Sequence, residues 1–183
     1  MNARTSSTAV MARRVEPATS LDFFPTPPWA TRALCQHVLG AEACTGTAWD
    51  PACGEGHMAE ALGDYFAIVE ASDIHPYGYG AKGDFLHPDG RFFSADWIVT
   101  NPPFNLGAEF VAQALKLARR GVAMLVRSQF LEGEDRFATI FSRRPPQMIA
   151  QFIERVPMHR GRWVINGSTA TSYAWLVWKK HAS

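Results

Sequence analysis

Three observations predict a doubly wound α/β fold, a mainly parallel sheet with helices on both faces. Short apolar runs of buried-strand length recur along the chain, as in Trp97-Ile98-Val99-Thr100 and Val122-Ala123-Met124-Leu125-Val126. Segments with helical spacing separate them, such as 108–120, which sets Phe110, Val111, Ala114, Leu115 and Ala118 on one face. A glycine-rich turn, Gly54-Glu55-Gly56, stands where a strand gives way to a helix. Strands that alternate with helices imply crossover connections and hence parallel pairing. With 183 residues, 47% of them hydrophobic, there is apolar material for one real core, which excludes a wholly disordered chain.

The elements follow in order. Residues 1–20 lack hydrophobic periodicity and are rich in Ala, Ser, Thr and Arg, so a flexible tail is expected, followed by one domain over 21–183. Asp22-Phe23-Phe24-Pro25-Thr26-Pro27-Pro28 reads as a rigid extended turn; Thr26 suits an N-cap for a helix over 27–39, with Gly40 as its stop. Residues 47–50 read as a strand, 57–66 as a helix and 68–73 as a second strand. A strand over 95–100, the helix over 108–120 and a strand over 122–127 come next. A helix over 134–141 ends at Pro145-Pro146. Strands over 148–156 and 173–179 close the chain, joined by a basic, Gly-containing segment.

Charge is distributed unevenly behind a net of +1. Residues 1–20 carry +2, residues 21–115 carry −9 and residues 116–183 carry +8. An acidic first part and a basic last part indicate two different surfaces, and the basic one suits either a polyanion or plain solvation. No apolar run approaches the roughly 18 residues a membrane span needs. Cys35, Cys44 and Cys53 form neither an even set nor a metal-ligand spacing, so reduced thiols, no metal and a cytoplasmic setting are expected.

In Asp50-Pro51-Ala52-Cys53-Gly54-Glu55-Gly56-His57-Met58-Ala59, the residues Gly54, Gly56 and Ala59 fit G-x-G-x-x-G/A, and Asp73 follows at the distance of a ribose-binding acid. A turn with this spacing also serves simple chain reversal, but paired with Asp73 it points to a nucleoside-type cofactor. Asp50 and Glu55 put negative charge where a dinucleotide site would hold its pyrophosphate. That favours a cationic, phosphate-free ligand such as S-adenosylmethionine, with NAD as the alternative. The segment from Asp50 to Gly56 resembles the first motif of class I methyltransferases.

Asn101-Pro102-Pro103-Phe104 follows the apolar strand 97–100 directly. A Pro-Pro turn can merely end a strand, yet here it is bracketed by an amide and an aromatic ring at the edge where ligands bind. The motif resembles the Asn/Asp-Pro-Pro-Tyr/Phe signature of amino-group methyltransferases, chiefly those acting on the exocyclic nitrogen of adenine. The likeness extends over about residues 22–180. Phe23-Phe24-Pro25-Thr26-Pro27 is similar to the N-terminal cofactor motif of these enzymes, Asp73-Ile74 to the ribose-binding position, and Gly83-Asp84-Phe85-Leu86 to the motif whose acid and aromatic flank the cofactor's adenine. The order of motifs is similar to that of compact, phage-type DNA adenine methyltransferases.

The resemblance implies a Rossmann-like class I methyltransferase sheet with an antiparallel last strand. It implies a cofactor site at Phe24, Pro25, Thr26, Asp50, Pro51, Ala52, Cys53, Gly54, Gly56, Asp73, Ile74, Asp84 and Phe85. The implied reaction is methyl transfer to the N6 amine of adenine in double-stranded DNA by Asn101, Pro102, Pro103 and Phe104. Adenine N6 in structured RNA is the nearest alternative, ahead of a glutamine-amide protein methyltransferase and a non-catalytic nucleic-acid-binding module. Arg127, Arg160 and Arg162 are the expected nucleic-acid contacts, because basic side chains interleaved with aromatics such as Trp163 hold phosphates and stack on bases. Trp175 and Trp178 are expected in the core. One departure is the lack of a separate target-recognition domain, which leaves only the connections around 130–147 and 157–171 to read bases.

The residue types suit this chemistry. The adenine amine is a poor nucleophile because its lone pair is delocalised into the ring. Two acceptors aimed at its hydrogens, the Asn101 side-chain oxygen and the Pro102 carbonyl, favour a pyramidal nitrogen and act mainly on the transition state. Phe104 is expected to offer a ring face to a base that has been flipped out of its stack.

Overall fold

The structure is a computed structural model that describes residues 23–88, 94–162 and 169–180. The segment 1–20 and Trp163 lie outside the described residues. Among the described residues seven strands form one sheet in the order β3-β2-β1-β4-β5-β7-β6. They are β1 (Thr47–Asp50), β2 (Ile68–Asp73), β3 (Ala81–Lys82), β4 (Trp97–Thr100), β5 (Gly121–Arg127), β6 (Met148–Gln151) and β7 (Tyr173–Lys179). Strand β7 pairs antiparallel with both β5 and β6, while every other pairing is parallel. The predicted fold class, including the antiparallel last strand, is what the structure has.

The period-two geometry of the strands divides the apolar residues between two cores. Trp97, Val99, Ala123, Leu125, Trp175 and Val177 face one side, where they meet Ala30, Leu34, Met58 and Leu62 of α1 (Pro28–Ala33), its continuation and α2 (His57–Leu62). Ile98, Val122, Met124, Val126, Leu176 and Trp178 face the other and pack on Phe110, Val111 and Leu115 of α3 (Gly107–Leu117). Strands β4, β5 and β7 are therefore buried on both faces over almost their full length. Two of the core tryptophans have their indole N–H groups paired: Trp175 donates to Ala30 O at 3.0 Å and Trp178 to Arg144 O at 2.8 Å.

Several element bounds differ from the sequence reading. The first helix begins at Pro28, and after Ala33 it continues as a π-helical turn over Leu34–Leu39 that Gly40 ends at φ 79°. Thr26 is not its N-cap; the cap position falls on Pro27, and the Thr26 hydroxyl turns inward to Asn101. Helix α2 stops at Leu62, short of residue 66. The helix expected over 134–141 is one α-turn, α4 (Glu134–Arg136), followed by a π-helical turn over Phe137–Phe141. Strand β6 ends at Gln151 rather than 156, because its pairing with β7 runs out at Gln151↔Ala174 and Ile153 is left fully exposed. The two-residue strand β3 was not expected. No helix among the described residues is long and apolar enough to cross a membrane.

Candidate functional site

The carboxyl ends of β1, β2 and β4 converge on a cavity of about 490 Å³. Every residue expected at the cofactor site lines it except Gly54 and Gly56. Those two glycines shape the turn. Their φ values are 52° and 91°, in the left-handed region that side chains avoid, and a Cβ would collide with the Phe23 ring at Gly54 and with the Tyr79 ring at Gly56.

Backbone geometry fixes the acids of the cavity. Asp73, the last residue of β2, accepts the Gly54 N–H on one oxygen and the His75 N–H on the other, each at 2.9 Å. The first bond ties the end of β2 to the glycine turn. Asp50 is fully buried at the end of β1, where it accepts the Thr100 hydroxyl at 2.7 Å and the Ala52 N–H at 3.3 Å. Burial pushes its carboxyl up to about 7, against the pull of these two bonds and with a further push from Asp73. Asp50 is therefore partly neutral near pH 7 and contributes less than the full negative charge expected there. Glu55 is exposed and does not line the cavity. Asp84 accepts the Leu86 N–H at 2.9 Å, and Phe85 packs edge-on against Trp49. Burial raises the Cys53 thiol to about 12, helped by Asp50 and Asp73, so it stays a neutral wall of the site. All three cysteines are buried and free.

Asn101 stands just beyond β4. Its Nδ2 donates to Phe24 O at 3.0 Å and to the Thr26 hydroxyl at 3.2 Å. A carbonyl accepts only, so the Phe24 bond fixes which end of the amide is nitrogen. The Asn101 Oδ1 is left buried with no hydrogen-bond partner among the described residues. A buried acceptor without a donor costs roughly 1–3 kcal/mol, which makes it a candidate contact for a ligand N–H. Asn101 and Pro103 line the cavity; Pro102 and Phe104 do not.

Phe104 lies beside the cavity against Phe24, ring centroids 4.9 Å apart. Its face is not open. The Arg127 guanidinium, at the end of β5, sits 3.7 Å from the Phe104 ring centre in a cation–π contact. The ring face expected to take a base is thus covered by the Arg127 side chain in this structure. Arg160 and Arg162 are exposed at the tip of a tight hairpin closed by the bridge between His159 and Arg162. The Gly161 N–H donates to Phe23 O at 2.8 Å, which fastens that tip to the rim of the cavity.

Sequence reasoning missed several lining residues. Tyr77 stacks on Phe23 with centroids 4.6 Å apart, and His75 and Asn105 also reach the cavity. They sit in irregular segments without periodicity, and only their closeness to Asp73 and Asn101 in the chain could have marked them. Among the described lining residues there is no Lys or Arg, while Asp50, Asp73 and Asp84 are all present. Such a site repels phosphate and suits a cationic ligand with hydroxyls to donate. Among the described residues no group of His, Cys, Asp or Glu is arranged to hold a metal ion.

No family model matches the sequence, and no curated protein matches it. Solved structures do. The chain is similar to a candidate RNA methyltransferase from Pyrococcus horikoshii, with TM-score 0.67 and 14% identity over 91% of this chain and 90% of that one. It is similar to magnesium protoporphyrin IX methyltransferase from Synechocystis PCC 6803 with bound SAM, with TM-score 0.55 and 14% identity over 84% and 79%. It is also similar to a modification subunit of a candidate type I restriction enzyme from Vibrio vulnificus, with TM-score 0.59 and 15% identity over 88% of this chain and 45% of that one, so it spans under half of that subunit. At these identities the likeness is one of fold: the chain has the Rossmann-like class I methyltransferase fold.

Proposed function

We propose that this chain transfers a methyl group from S-adenosylmethionine to the exocyclic N6 amine of adenine in DNA. The observation that carries the reading is the buried, unpartnered Asn101 Oδ1, locked in orientation by Phe24 O at the end of β4 beside an acid-lined cavity. The fit to the cofactor rests on three features of that cavity. Asp73 keeps lone pairs free for ribose hydroxyls beyond its two backbone bonds. Asp50, Asp73 and Asp84 suit a cation, and the absence of Lys or Arg in the lining suits a ligand without phosphate. Phe24, Pro25, Thr26, Pro51, Ala52, Cys53, Ile74 and Phe85 supply the remaining walls, with Gly54 and Gly56 setting the turn. When bound, S-adenosylmethionine supplies an electrophilic methyl group on a sulfonium centre.

The chain's own part is to prepare the amine. Asn101 Oδ1 and the Pro102 carbonyl accept its two hydrogens and localise the nitrogen lone pair, so they act most strongly as charge develops there. Pro102 and Pro103 hold the turn rigid. The extra proton leaves after transfer, because the methylated amine is acidic, and no strong base is needed beforehand. A flipped adenine that stacks on Phe104 takes the place of the Arg127 guanidinium, and the freed side chain is long enough to reach a phosphate of the same strand. Arg160 and Arg162, fastened at the rim through Gly161, meet the backbone from the other side.

The test is labelled methyl transfer to unmethylated duplex DNA, with total RNA and protein extract in parallel. Label in DNA supports the reading. Label only in RNA or protein keeps the cofactor and overturns the DNA substrate; the likeness to a candidate RNA methyltransferase makes RNA the second substrate to examine.

A further inference from the structure

At the end of the sheet away from Asn101, the end of α3, the chain after α4 and the end of β7 enclose a groove of about 830 Å³. Lys116, Arg143, Arg144, Lys179 and Lys180 line it, with Trp178 in its wall, and among the described residues no carboxylate does. Among the described residues none of these five cations forms an ion pair. Their neighbours differ: Arg119 pairs with Asp96 at 3.1 Å, and Arg120 donates to Glu42 O and the Thr45 hydroxyl.

The helix macrodipole accounts for Lys116, in the last turn of α3. It does not account for Lys179, the last residue of β7, or for Lys180 just after it, which are delivered here by the register Gly121↔Lys179 between β5 and β7. Lys180 is held in place by its own Nζ, which donates to Ala118 O at 2.6 Å. Burial, and after it the charge of Arg144, keeps its ammonium below the usual lysine range. Five cations around one concavity repel each other, and an entering polyanion offsets that repulsion.

We propose that this groove is a second binding site for the phosphodiester backbone of nucleic acid, separate from the site of methyl transfer. Strand β5, Gly121–Arg127, runs between the two. Its six residue steps of about 3.3 Å set them about 20 Å apart. The groove thus grips backbone that is remote from the target nucleotide. The choice of nucleic acid among polyanions rests on the proposed function.

The test is binding of a fluorescently labelled, random-sequence DNA duplex to the full chain without cofactor, read by anisotropy across a salt series. A variant carrying Lys116→Ala, Arg143→Ala, Arg144→Ala and Lys179→Ala removes side chains that make no hydrogen bond within the described structure and leaves Lys180 on Ala118. Each lost phosphate contact makes the slope of log affinity against log salt shallower by about 0.9, so a loss of about 3 to 4 is expected. The Arg143→Lys, Arg144→Lys variant keeps the charge and should keep the slope. An unchanged slope in the alanine variant, with an unchanged unfolding midpoint, overturns the proposal, as does absence of DNA binding by the wild type. Methyl transfer on the same samples separates the two readings. DNA binding that depends on the groove without any methyl transfer would overturn the proposed reaction and leave the groove standing.

Discussion

Asn101→Ala removes a donor and an acceptor at once, and the structure separates their effects. The donor side is structural: Nδ2 ties Phe24 O and the Thr26 hydroxyl to the end of β4 at 3.0 and 3.2 Å. Its loss leaves the Phe24 carbonyl without this donor, at a cost of roughly 1–3 kcal/mol. For a domain of this size that lowers the unfolding midpoint by about 2–4 °C per kcal/mol. The acceptor side concerns the proposed reaction, since Oδ1 has no partner among the described residues. Removal of one preorganised dipole at a reacting centre costs about 10²–10³ in turnover, roughly 3–4 kcal/mol. Cofactor affinity should stay within a few-fold, because Asp73 and the glycine turn are untouched. Asn101→Asp divides the two sides: it keeps an acceptor and loses the N–H to Phe24, so the midpoint should fall while turnover drops less than in the alanine variant. The assay is single-turnover methyl transfer at saturating cofactor, with cofactor binding by calorimetry and unfolding by differential scanning. An Asn101→Ala enzyme that turns over within a few-fold of wild type would refute the role assigned to Oδ1.

Three further predictions follow from the same geometry. Asp73→Ala frees the Gly54 and His75 N–H groups and should weaken cofactor binding selectively; unchanged affinity by calorimetry would remove Asp73 from the ribose site. Asp50, raised from 3.8 to about 7 by burial, holds a proton that the unfolded chain has already released between these values. Stability from this group should therefore fall as pH rises from about 4 to about 7 and level off above, and Asp50→Asn should abolish that slope in pH-dependent unfolding. A cationic cofactor favours the ionised form, so its affinity should rise with pH toward 7 in wild type and stay flat in Asp50→Asn. Arg160→Ala with Arg162→Ala should make the salt dependence of DNA binding shallower by about 2, at about 0.9 per phosphate contact; an unchanged slope would mean these arginines are only a solvated tip.

What could be read from the sequence follows from where burial imposes a pattern. Strands β4, β5 and β7 are buried on both faces, so their apolar runs mark them, and the bounds of β1, β2 and β7 come out as expected. Strand β3 is two exposed residues, Ala81–Lys82, held only by backbone pairing with Ser72 and Asp73, and no side-chain pattern announces it. Residues 152–156 look strand-like through Phe152, Ile153 and Val156, but a strand needs a partner, and β7 offers none beyond Ala174. The residues expected at the site were legible for a different reason: they stand at strand ends, and the fold brings those ends together around one cavity. Thr26 was misread because its local context, ahead of Pro27 and Pro28, is that of a cap, whereas its partner Asn101 lies 75 residues away in sequence. The same limit hid Arg127. Only the parallel pairing of β4 with β5 shows that its guanidinium lies over Phe104.

The most direct test of the proposed reaction is mass analysis of nucleosides from the DNA of an expression host that lacks adenine methylation of its own, carrying either the wild-type chain or Asn101→Ala. The account predicts N6-methyladenine in DNA with the wild-type chain and none with the variant. Methylation of another base, or equal N6-methyladenine from both, would contradict it.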